Sequence, residues 1–241
     1  MANNFFHTYY DLLFEKKDYS RETELIFELS EKYGIKSPQK ILEIGCGTGN
    51  HTKYLLEKNV DLVAIDTDPI MVDLAREKLK NHLRLNLQNI KVEDLAEKDF
   101  DLVLAMFNVI TYIPTTNELE SFMKGVSDRL KSGGVFIFDC WNGIAAIKDP
   151  PKTKESEITV NGEKIKVTIT PATNFFEQKT KLSYQIADET YLLDQTLWTP
   201  LQVLEAAKKA SLEIVLSSPL LEPDKQATDK DWKIMFVAKK N

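Results

Sequence analysis

Short apolar runs alternate with amphipathic stretches along the first 140 residues of the chain. The apolar runs predict strands at residues 40–44, 62–65, 83–87, 102–107 and 135–138. Between them, apolar residues recur at helical spacing and predict helices at residues 52–58, 69–80 and 117–130. Asp68 and Pro69 suit the cap and the first position of the second of these helices. Strands that alternate with helices indicate a parallel sheet covered on both faces.

The flanking segments follow other patterns. An amphipathic helix precedes the first strand, with Leu25, Ile26 and Leu29 on its apolar face, and it ends at Gly34. After residue 149, apolar and polar residues alternate around an Asn-Gly turn at residues 161 and 162, which is typical of an antiparallel hairpin. The remaining predicted elements are strands at 174–177 and 181–191, a helix at 200–210, and an antiparallel strand pair at 212–216 and 233–238.

These elements predict one α/β domain with a Rossmann-like, doubly wound and mostly parallel seven-stranded sheet. Residues 1–35 form a helical lid, and residues 36–148 and 200–241 form the ligand-binding core. Residues 149–199 form an antiparallel β insertion after the fifth strand. The open strand edges of such an insertion are compatible with a homodimer.

Composition excludes several classes of function. The 241 residues are 43% hydrophobic, and 37 acidic against 31 basic residues give a formal net charge of -6, which offers no overall attraction to nucleic acid. No apolar stretch approaches the roughly 18 residues that span a membrane. Two cysteines without C-x-x-C spacing, and a first segment unlike a signal peptide, predict a cytoplasmic location. The histidines and carboxylates suggest no metal cluster.

The glycine-rich segment after the first strand is the strongest chemical signal. Gly45, Gly47 and Gly49 at a strand-to-helix turn let a ligand approach the backbone closely. The dinucleotide pattern G-x-G-x-x-G would need glycine at Asn50, which argues against an NAD-dependent oxidoreductase. The carboxylate of Glu43 would repel a pyrophosphate and attract a cationic ligand. S-adenosylmethionine (SAM) is such a ligand, with a sulfonium, an ammonium and no phosphate.

Asp66 gives a second indication of the same ligand. It ends the second predicted strand, 21 residues after Gly45, where a carboxylate can accept hydrogen bonds from both ribose hydroxyls. The run from Glu43 to Gly49, together with Asp66 and the order of elements, resembles the class I SAM-dependent methyltransferases. The resemblance implies SAM as the cofactor and further contacts from Cys46, Thr67, Met71, Met106, Phe107 and Ile90, with either Asn89 or Asp94 at the adenine amino group.

Three shorter motifs are similar to the N-methyltransferases that dimethylate nucleotide-linked deoxyamino sugars. They are Tyr10-Asp11-Leu12 with Lys17-Asp18-Tyr19, Gly49-Asn50-His51, and Leu197-Trp198-Thr199-Pro200. The resemblance implies that Tyr19 binds the SAM carboxylate and that Tyr10 and Trp141 line the acceptor pocket. Tyr112 stands where those enzymes commonly have a histidine, so the acceptor stays open between an amino sugar and another small amine or hydroxyl compound.

The expected chemistry makes few demands on side chains. Methyl transfer depends mainly on holding the acceptor, methyl and sulfur atoms in line. An amine acceptor must be neutral, and Tyr112 or His7 could help to take up its proton. Tyr112, Trp141 and Asn142 follow the carboxyl ends of predicted parallel strands, where ligands bind in such sheets. His51 suits either helix-end packing or a ribose contact, and a non-catalytic SAM-binding module remains an alternative.

Overall fold

The computed structural model describes residues 5–80 and 82–241. In this part of the chain the strands are β1 (Lys40–Ile44), β2 (Asp61–Asp66), β3 (Leu85–Asn89), β4 (Phe100–Ala105), β5 (Leu130–Trp141), β6 (Lys154–Val160), β7 (Glu163–Asn174), β8 (Lys179–Ile186), β9 (Glu189–Thr196), β10 (Leu212–Pro219) and β11 (Lys233–Lys240). The α-helices are α1 (Phe5–Leu13), α2 (Tyr19–Lys32), α3 (Asn50–Leu56), α4 (Pro69–Lys78), α5 (Thr116–Arg129), α6 (Gly143–Lys148) and α7 (Pro200–Lys209). Short 3₁₀ helices at Val92–Asp94 and Val109–Tyr112 follow β3 and β4.

The larger sheet has seven strands in the order β10-β11-β5-β4-β1-β2-β3. Strand β11 runs antiparallel to both of its neighbours, β5 and β10. The other five strands, β5, β4, β1, β2 and β3, run parallel to one another. The mostly parallel, doubly wound α/β fold is therefore confirmed. Because β1 pairs with both β2 and β4, the strand order reverses at β1, and ligands bind at the carboxyl ends beside such a switch point.

Two apolar clusters cover the two faces of this sheet. Leu42 packs in one cluster and its neighbour Ile41 in the other, and both side chains are fully buried. Successive residues of a strand point to opposite faces, so burial of both requires helices on each side. The packing explains why the central strands read as continuous apolar runs in the sequence.

The predicted insertion after β5 forms a second, four-stranded antiparallel sheet in the order β6-β7-β8-β9. Its apolar face packs against α1. Phe6 contacts Tyr184 of β8 and stacks on Tyr191 of β9, with ring centroids 4.2 Å apart. Leu12 packs in the cluster formed by Ile158, Val167 and Ile186. Helix α1 thus joins the insertion to the larger sheet's ligand-binding edge.

Several elements differ from the sequence predictions. Strand β3 lies two residues later than the predicted 83–87, because Leu83 is fully exposed and contributes nothing to the core. The predicted strand at 174–177 was wrong: the Asn174 side chain accepts hydrogen bonds from the backbone N–H groups of Phe176 and Glu177, which closes a turn there. The predicted strand at 181–191 is two strands, separated at Ala187, whose φ is 51°.

Strand β5 is longer than predicted at both ends. It starts at Leu130, and the predicted turn at 131–134 is an irregularity within the strand, where the pairing with β4 shifts register. It continues to Trp141, three residues beyond the predicted end. This extension changes which residues face the ligand-binding edge. Helix α4 begins as predicted, with the Asp68 side chain accepting from Ile70 N at 2.9 Å. No helix among the described residues is long and apolar enough to cross a lipid bilayer.

Candidate active site

A cavity of about 470 Å³ lies at the carboxyl ends of β1, β2 and β4. Its wall is formed by the glycine loop after β1, the loops after β2, β3 and β4, the amino-terminal helices, the start of α5, and strand β9. The volume falls within the range of about 300–1,000 Å³ that is typical of small-molecule sites. The cavity therefore occupies the position that the strand order predicts for a ligand.

The three glycines of the loop have different roles. Gly45 has φ 71°, and a Cβ there would lie 2.5 Å from Cγ2 of Val109. Gly49 has φ 83°, and a Cβ would lie 2.6 Å from Cδ1 of Leu79. At Gly47, with φ 54°, a Cβ would meet no atom within 4 Å. Gly45 and Gly49 thus allow close packing of the protein, while Gly47 leaves backbone open to the cavity that it lines.

Asp66 connects this loop to the end of β2. Its Oδ2 accepts from Gly47 N at 2.8 Å, and its Oδ1 accepts from Asp68 N at 2.9 Å. Each carboxylate oxygen has a further lone pair. Burial raises the pKa of Asp66, although these backbone hydrogen bonds act in the opposite direction. The carboxyl group lines the cavity with capacity to accept hydrogen bonds from a ligand.

Glu43 differs from the sequence expectation. Its carboxyl group is buried beneath the loop and accepts from Thr52 Oγ1 at 2.6 Å, which ties β1 to α3. Burial raises the pKa of Glu43 to about 8, so the carboxyl is largely protonated at neutral pH. The prediction that Glu43 presents a negative charge directly to the ligand is therefore corrected.

Most of the predicted cofactor residues are brought together by the fold. Those that line the cavity are Tyr19, Gly45, Cys46, Gly47, Asp66, Thr67, Met71, Ile90, Met106 and Phe107. Within the described part of the chain, the wall does not include His7, Glu43, Gly49, Asn89, Trp141 or Asn142. Asn89 instead donates from Nδ2 to Asp66 O at 2.8 Å. Glu93 lines the cavity in the loop after β3, where Asp94 was the expected alternative.

Tyr112 lies in the 3₁₀ helix after β4 and lines the cavity. Its side chain is half-exposed. The enclosed surroundings raise the pKa of its phenol. Tyr112 is thus a neutral hydrogen-bonding group near pH 7, which argues against a phenolate acting as the resting base.

Helix α1 and strand β9 supply an aromatic part of the wall. Phe6 and Tyr10 from α1 and Tyr191 and Leu193 from β9 line the cavity, and the ring of Phe6 stacks on that of Tyr191. Burial raises the pKa of Tyr10 well above its ordinary value. Phe6, Tyr191 and Leu193 were missed from the sequence. The i, i+2 spacing of Tyr191 and Leu193 places both side chains on one face of a strand. That this face meets the cavity follows only from the pairing of β9.

Polar contacts hold α1 against the glycine loop. Asp11 Oδ1 accepts from Thr48 Oγ1 at 2.5 Å and from Asn50 Nδ2 at 3.0 Å, and its Oδ2 lies 2.6 Å from Lys78 Nζ. These contacts lower the pKa of Asp11 against the opposing effect of its desolvation. The amino-terminal helix therefore closes one side of the cavity through two part-buried hydrogen bonds and an exposed ion pair.

His7 forms a second contact between α1 and the core. Its Nε2 lies 2.7 Å from Oδ2 of Asp68, while Oδ1 of the same carboxylate caps α4. Its Nδ1 is buried and has no hydrogen-bond partner among the described residues. The imidazole lies behind Phe6 and Tyr191, which form the wall beside it.

Asn142 and Trp141 do not form the expected acceptor surface. Asn142 Oδ1 accepts from Ile144 N at 3.0 Å and caps α6, and its Nδ2 donates to Thr228 O at 3.0 Å. Trp141 packs edge-on against Trp232, with ring centroids 6.0 Å apart. The expectation for Asn142 is corrected because its amide is fully engaged in holding β5, α6 and the loop before β11 together.

A buried ionic cluster adjoins the cavity on the side of helix α2. Glu22 Oε2 lies 2.8 Å from His51 Nε2, and Oε1 pairs with Lys17. The Lys17 ammonium lies 4.7 Å from the ring centroid of Phe107. His51, which belongs to this cluster, and its neighbour Tyr19 both line the cavity. The sequence analysis gave no role to the side chains of Lys17 and Glu22, since charged residues just before and in the first turn of an amphipathic helix usually face solvent.

Comparison with known proteins agrees with this geometry. Residues 42–136 match the family model of the methyltransferase domain. A relative from Streptomyces venezuelae, dTDP-3-amino-3,4,6-trideoxy-alpha-D-glucopyranose N,N-dimethyltransferase, is 28% identical over 136 residues, which cover 55% of this chain and 55% of the relative. The magnesium-protoporphyrin O-methyltransferase of Rhodobacter capsulatus is 36% identical over 76 residues, which cover 30% and 34%. The chain spans about half the length, or less, of these relatives.

Solved structures extend the match to the whole fold. A SAM-dependent methyltransferase from Clostridium acetobutylicum superposes with a TM-score of 0.82 at 21% identity, covering 99% of this chain and 98% of that one. DesVI from Streptomyces venezuelae superposes with a TM-score of 0.80 at 19% identity, covering 96% and 97%. At identities this low, the TM-scores show a shared fold and nothing further. The predicted resemblance is confirmed to this extent: residues 42–136 match the methyltransferase-domain model, and the chain has the fold of these SAM-dependent methyltransferases.

Proposed function

We propose that this protein binds SAM in the cavity and transfers its methyl group to the amine of a small molecule, with a nucleotide-linked amino sugar as the first acceptor. One observation carries the proposal. The same cavity joins the glycine loop and Asp66 on one side to the aromatic wall of Phe6, Tyr10 and Tyr191 on the other. A cofactor and an acceptor would therefore meet in one enclosed space.

The residues present fit SAM. Gly47 leaves open space next to exposed backbone, and Asp66 retains lone pairs that suit two ribose hydroxyls. Met71, Ile90 and Met106 give the apolar surface that an adenine ring needs, and Tyr19, which the resemblance assigns to the SAM carboxylate, lines the same cavity. When bound, SAM supplies an electrophilic methyl group on a sulfonium centre.

The protein's own contribution is orientation and exclusion of water. Near-attack positioning of reactants can supply about 7–11 kcal/mol of the lowered barrier. The contacts of Asp11 with Thr48 and Asn50 hold α1 over the glycine loop and so enclose the site. Tyr112, as a neutral phenol, can accept a hydrogen bond from the acceptor amine and direct its lone pair toward the methyl group. We assign uptake of the proton to His7, whose imidazole is oriented by Asp68 behind the wall formed by Phe6 and Tyr191.

The charge of the wall bears on the acceptor. Four carboxylates line the cavity, those of Asp66, Asp68, Glu93 and Glu118, together with the single ammonium of Lys91 in the described residues. This negative surface suits a cationic cofactor and an amine. A nucleotide diphosphate would therefore extend beyond the cavity while its amino sugar enters. The same charges favour a second candidate acceptor, an amine without phosphate.

Mass spectrometry of reaction products tests the proposal. The purified protein is incubated with SAM and with nucleotide-linked amino sugars, their hydroxyl counterparts, and phosphate-free amino sugars and glycine-like amines. Asp66→Ala serves as the matched inactive control. We expect one or two methyl groups on amine compounds alone. Methylation of only the hydroxyl compounds would reject the amine acceptor, and S-adenosylhomocysteine binding without any product would favour a non-catalytic SAM-binding module.

A further inference from the structure

Asp139 is a fully buried carboxyl group near the carboxyl end of β5. Its Oδ1 accepts hydrogen bonds from two successive backbone groups, Phe107 N and Asn108 N, the latter at 3.2 Å. Its Oδ2 and the Oδ1 of Asn108 have no hydrogen-bond partner among the described residues. Desolvation raises the pKa of this carboxyl. Burial of a polar atom without a hydrogen-bond partner costs free energy of folding, which indicates that Asp139 has a specific role.

The two residues that Asp139 contacts have unusual backbone conformations. Phe107 has φ 70° and Asn108 has φ 64°, both in the left-handed region. For a bulky residue such as phenylalanine this conformation is a genuine outlier, and it persists only where the surroundings hold it. Successive N–H groups that converge on one oxygen form a stable receptor for that oxygen. Asp139 thus supplies the acceptor that keeps this turn in its strained form.

The strained turn determines which side chains reach the cavity. Met106 precedes it, Phe107 belongs to it, and Tyr112 ends the 3₁₀ helix that follows; all three line the cavity. Val109, in the same helix, fills the space against Gly45 that a Cβ would occupy. A change in the turn would therefore move both the aromatic wall and the packing of the glycine loop.

We propose that Asp139 is a positioning residue, whose carboxyl oxygen fixes the turn after β4 so that Phe107 and Tyr112 face the reacting groups. This inference rests on the proposed methyl transfer for its kinetic consequences. Asp139 touches neither ligand, because its side chain lies behind the wall. Its effect is therefore on the geometry of transfer more than on cofactor affinity.

Asp101 provides a matched control. Its Oδ2 also accepts from two successive backbone groups, Gln39 N at 2.7 Å and Lys40 N at 2.9 Å. It lies near the amino end of β4, at the opposite edge of the sheet from the cavity. Asp101→Ala removes the same kind of backbone contact, together with an ion pair to Lys131, without touching the site, so it measures the effect of lost stability alone.

The experiment compares Asp139→Ala, Asp139→Asn and Asp101→Ala by kcat, by KM for SAM, and by S-adenosylhomocysteine affinity. A misplacement of about 1 Å in an active site can lower the rate about 100-fold. For Asp139→Ala we expect kcat to fall about 10- to 100-fold, with KM for SAM changing less than about threefold. Asp139→Asn retains an acceptor oxygen and restores most of the rate. A kcat for Asp139→Ala equal to that of Asp101→Ala would overturn the proposal.

Crystal structures of the Asp139→Ala and Asp139→Asn proteins give a readout independent of activity. We expect Phe107 to leave the left-handed region and Tyr112 to leave the cavity wall in the alanine protein, with both retained in the asparagine protein. If the wild-type protein shows no methyl transfer, the proposed function fails while this comparison still decides the role of Asp139. An unchanged turn in the alanine protein would refute it.

Discussion

Alanine at Gly47 separates the ligand-binding role of the glycine loop from its folding role. Gly47 has φ 54°, and a Cβ there meets no protein atom within 4 Å. The only structural cost of Gly47→Ala is the left-handed backbone, about 1–2 kcal/mol. For a chain of this size, that corresponds to a fall in Tm of about 2–8 °C. The new methyl group would occupy the space beside Gly47 in which we propose that the ligand binds.

Gly45→Ala is the contrasting variant. Its Cβ would lie 2.5 Å from Val109, so overpacking of about 1–3 kcal/mol adds to the same backbone cost. The combined loss of about 2–5 kcal/mol predicts a fall in Tm of about 4–20 °C. Gly45→Ala should therefore be the less stable of the two proteins.

Calorimetry with S-adenosylhomocysteine and thermal unfolding measure both effects. Gly47→Ala should fold with a modest loss of Tm and bind at least about tenfold more weakly, a difference of about 1.4 kcal/mol. Wild-type affinity in Gly47→Ala would refute the inference that this backbone meets the ligand. Equal losses of Tm in the two variants would refute the steric distinction between the glycines.

Three further variants test particular residues. Tyr112→Phe should lower kcat by less than about tenfold, since the neutral phenol only orients the amine; a loss of several hundred-fold would make it the proton acceptor. Glu43 has its pKa raised by burial to about 8, so the folded protein holds more protons than the unfolded chain between pH 5 and 8, and the contribution of Glu43 to stability falls as pH rises. The Tm of Glu43→Gln minus that of the wild-type protein should therefore rise between pH 5 and pH 8. A difference that stays constant would contradict a buried, protonated carboxyl group at Glu43. Asn142→Ala removes a helix cap and two Nδ2 hydrogen bonds, each worth about 1 kcal/mol, and should lower Tm by about 6–12 °C with kcat unchanged; a large fall in kcat at equal Tm would restore it to the acceptor surface.

Local chemistry explains which features could be predicted from the sequence. The glycine loop, the cap at Asp68 and the position of Asp66 follow from neighbouring residues, because turns and caps depend on short-range geometry. The alternating strands and helices likewise follow from apolar periodicity. These signals were sufficient to predict the α/β fold and one side of the cavity.

Features that depend on distant parts of the chain could not be predicted in this way. Asn142 suits an acceptor contact and a helix cap equally well from sequence, and only the short helix α6 distinguishes them. Tyr191 reaches the cavity because β9 pairs with β8 and stacks its ring on Phe6. Asp139 follows the apolar run Val135 to Phe138, and its role becomes visible only when β5 lies beside β4. Long-range pairing, not local pattern, sets these contacts.

Titration calorimetry of S-adenosylhomocysteine into the wild-type and Asp66→Ala proteins decides whether the cavity binds this ligand through Asp66. Two hydrogen bonds to a carboxylate contribute about 1.5–3 kcal/mol each, so their loss predicts at least about 100-fold weaker binding. We expect one ligand to bind per chain in the wild-type protein, and binding to weaken by this factor in a variant that still folds. Absence of binding to the wild-type protein, or equal affinity in both, would contradict this expectation.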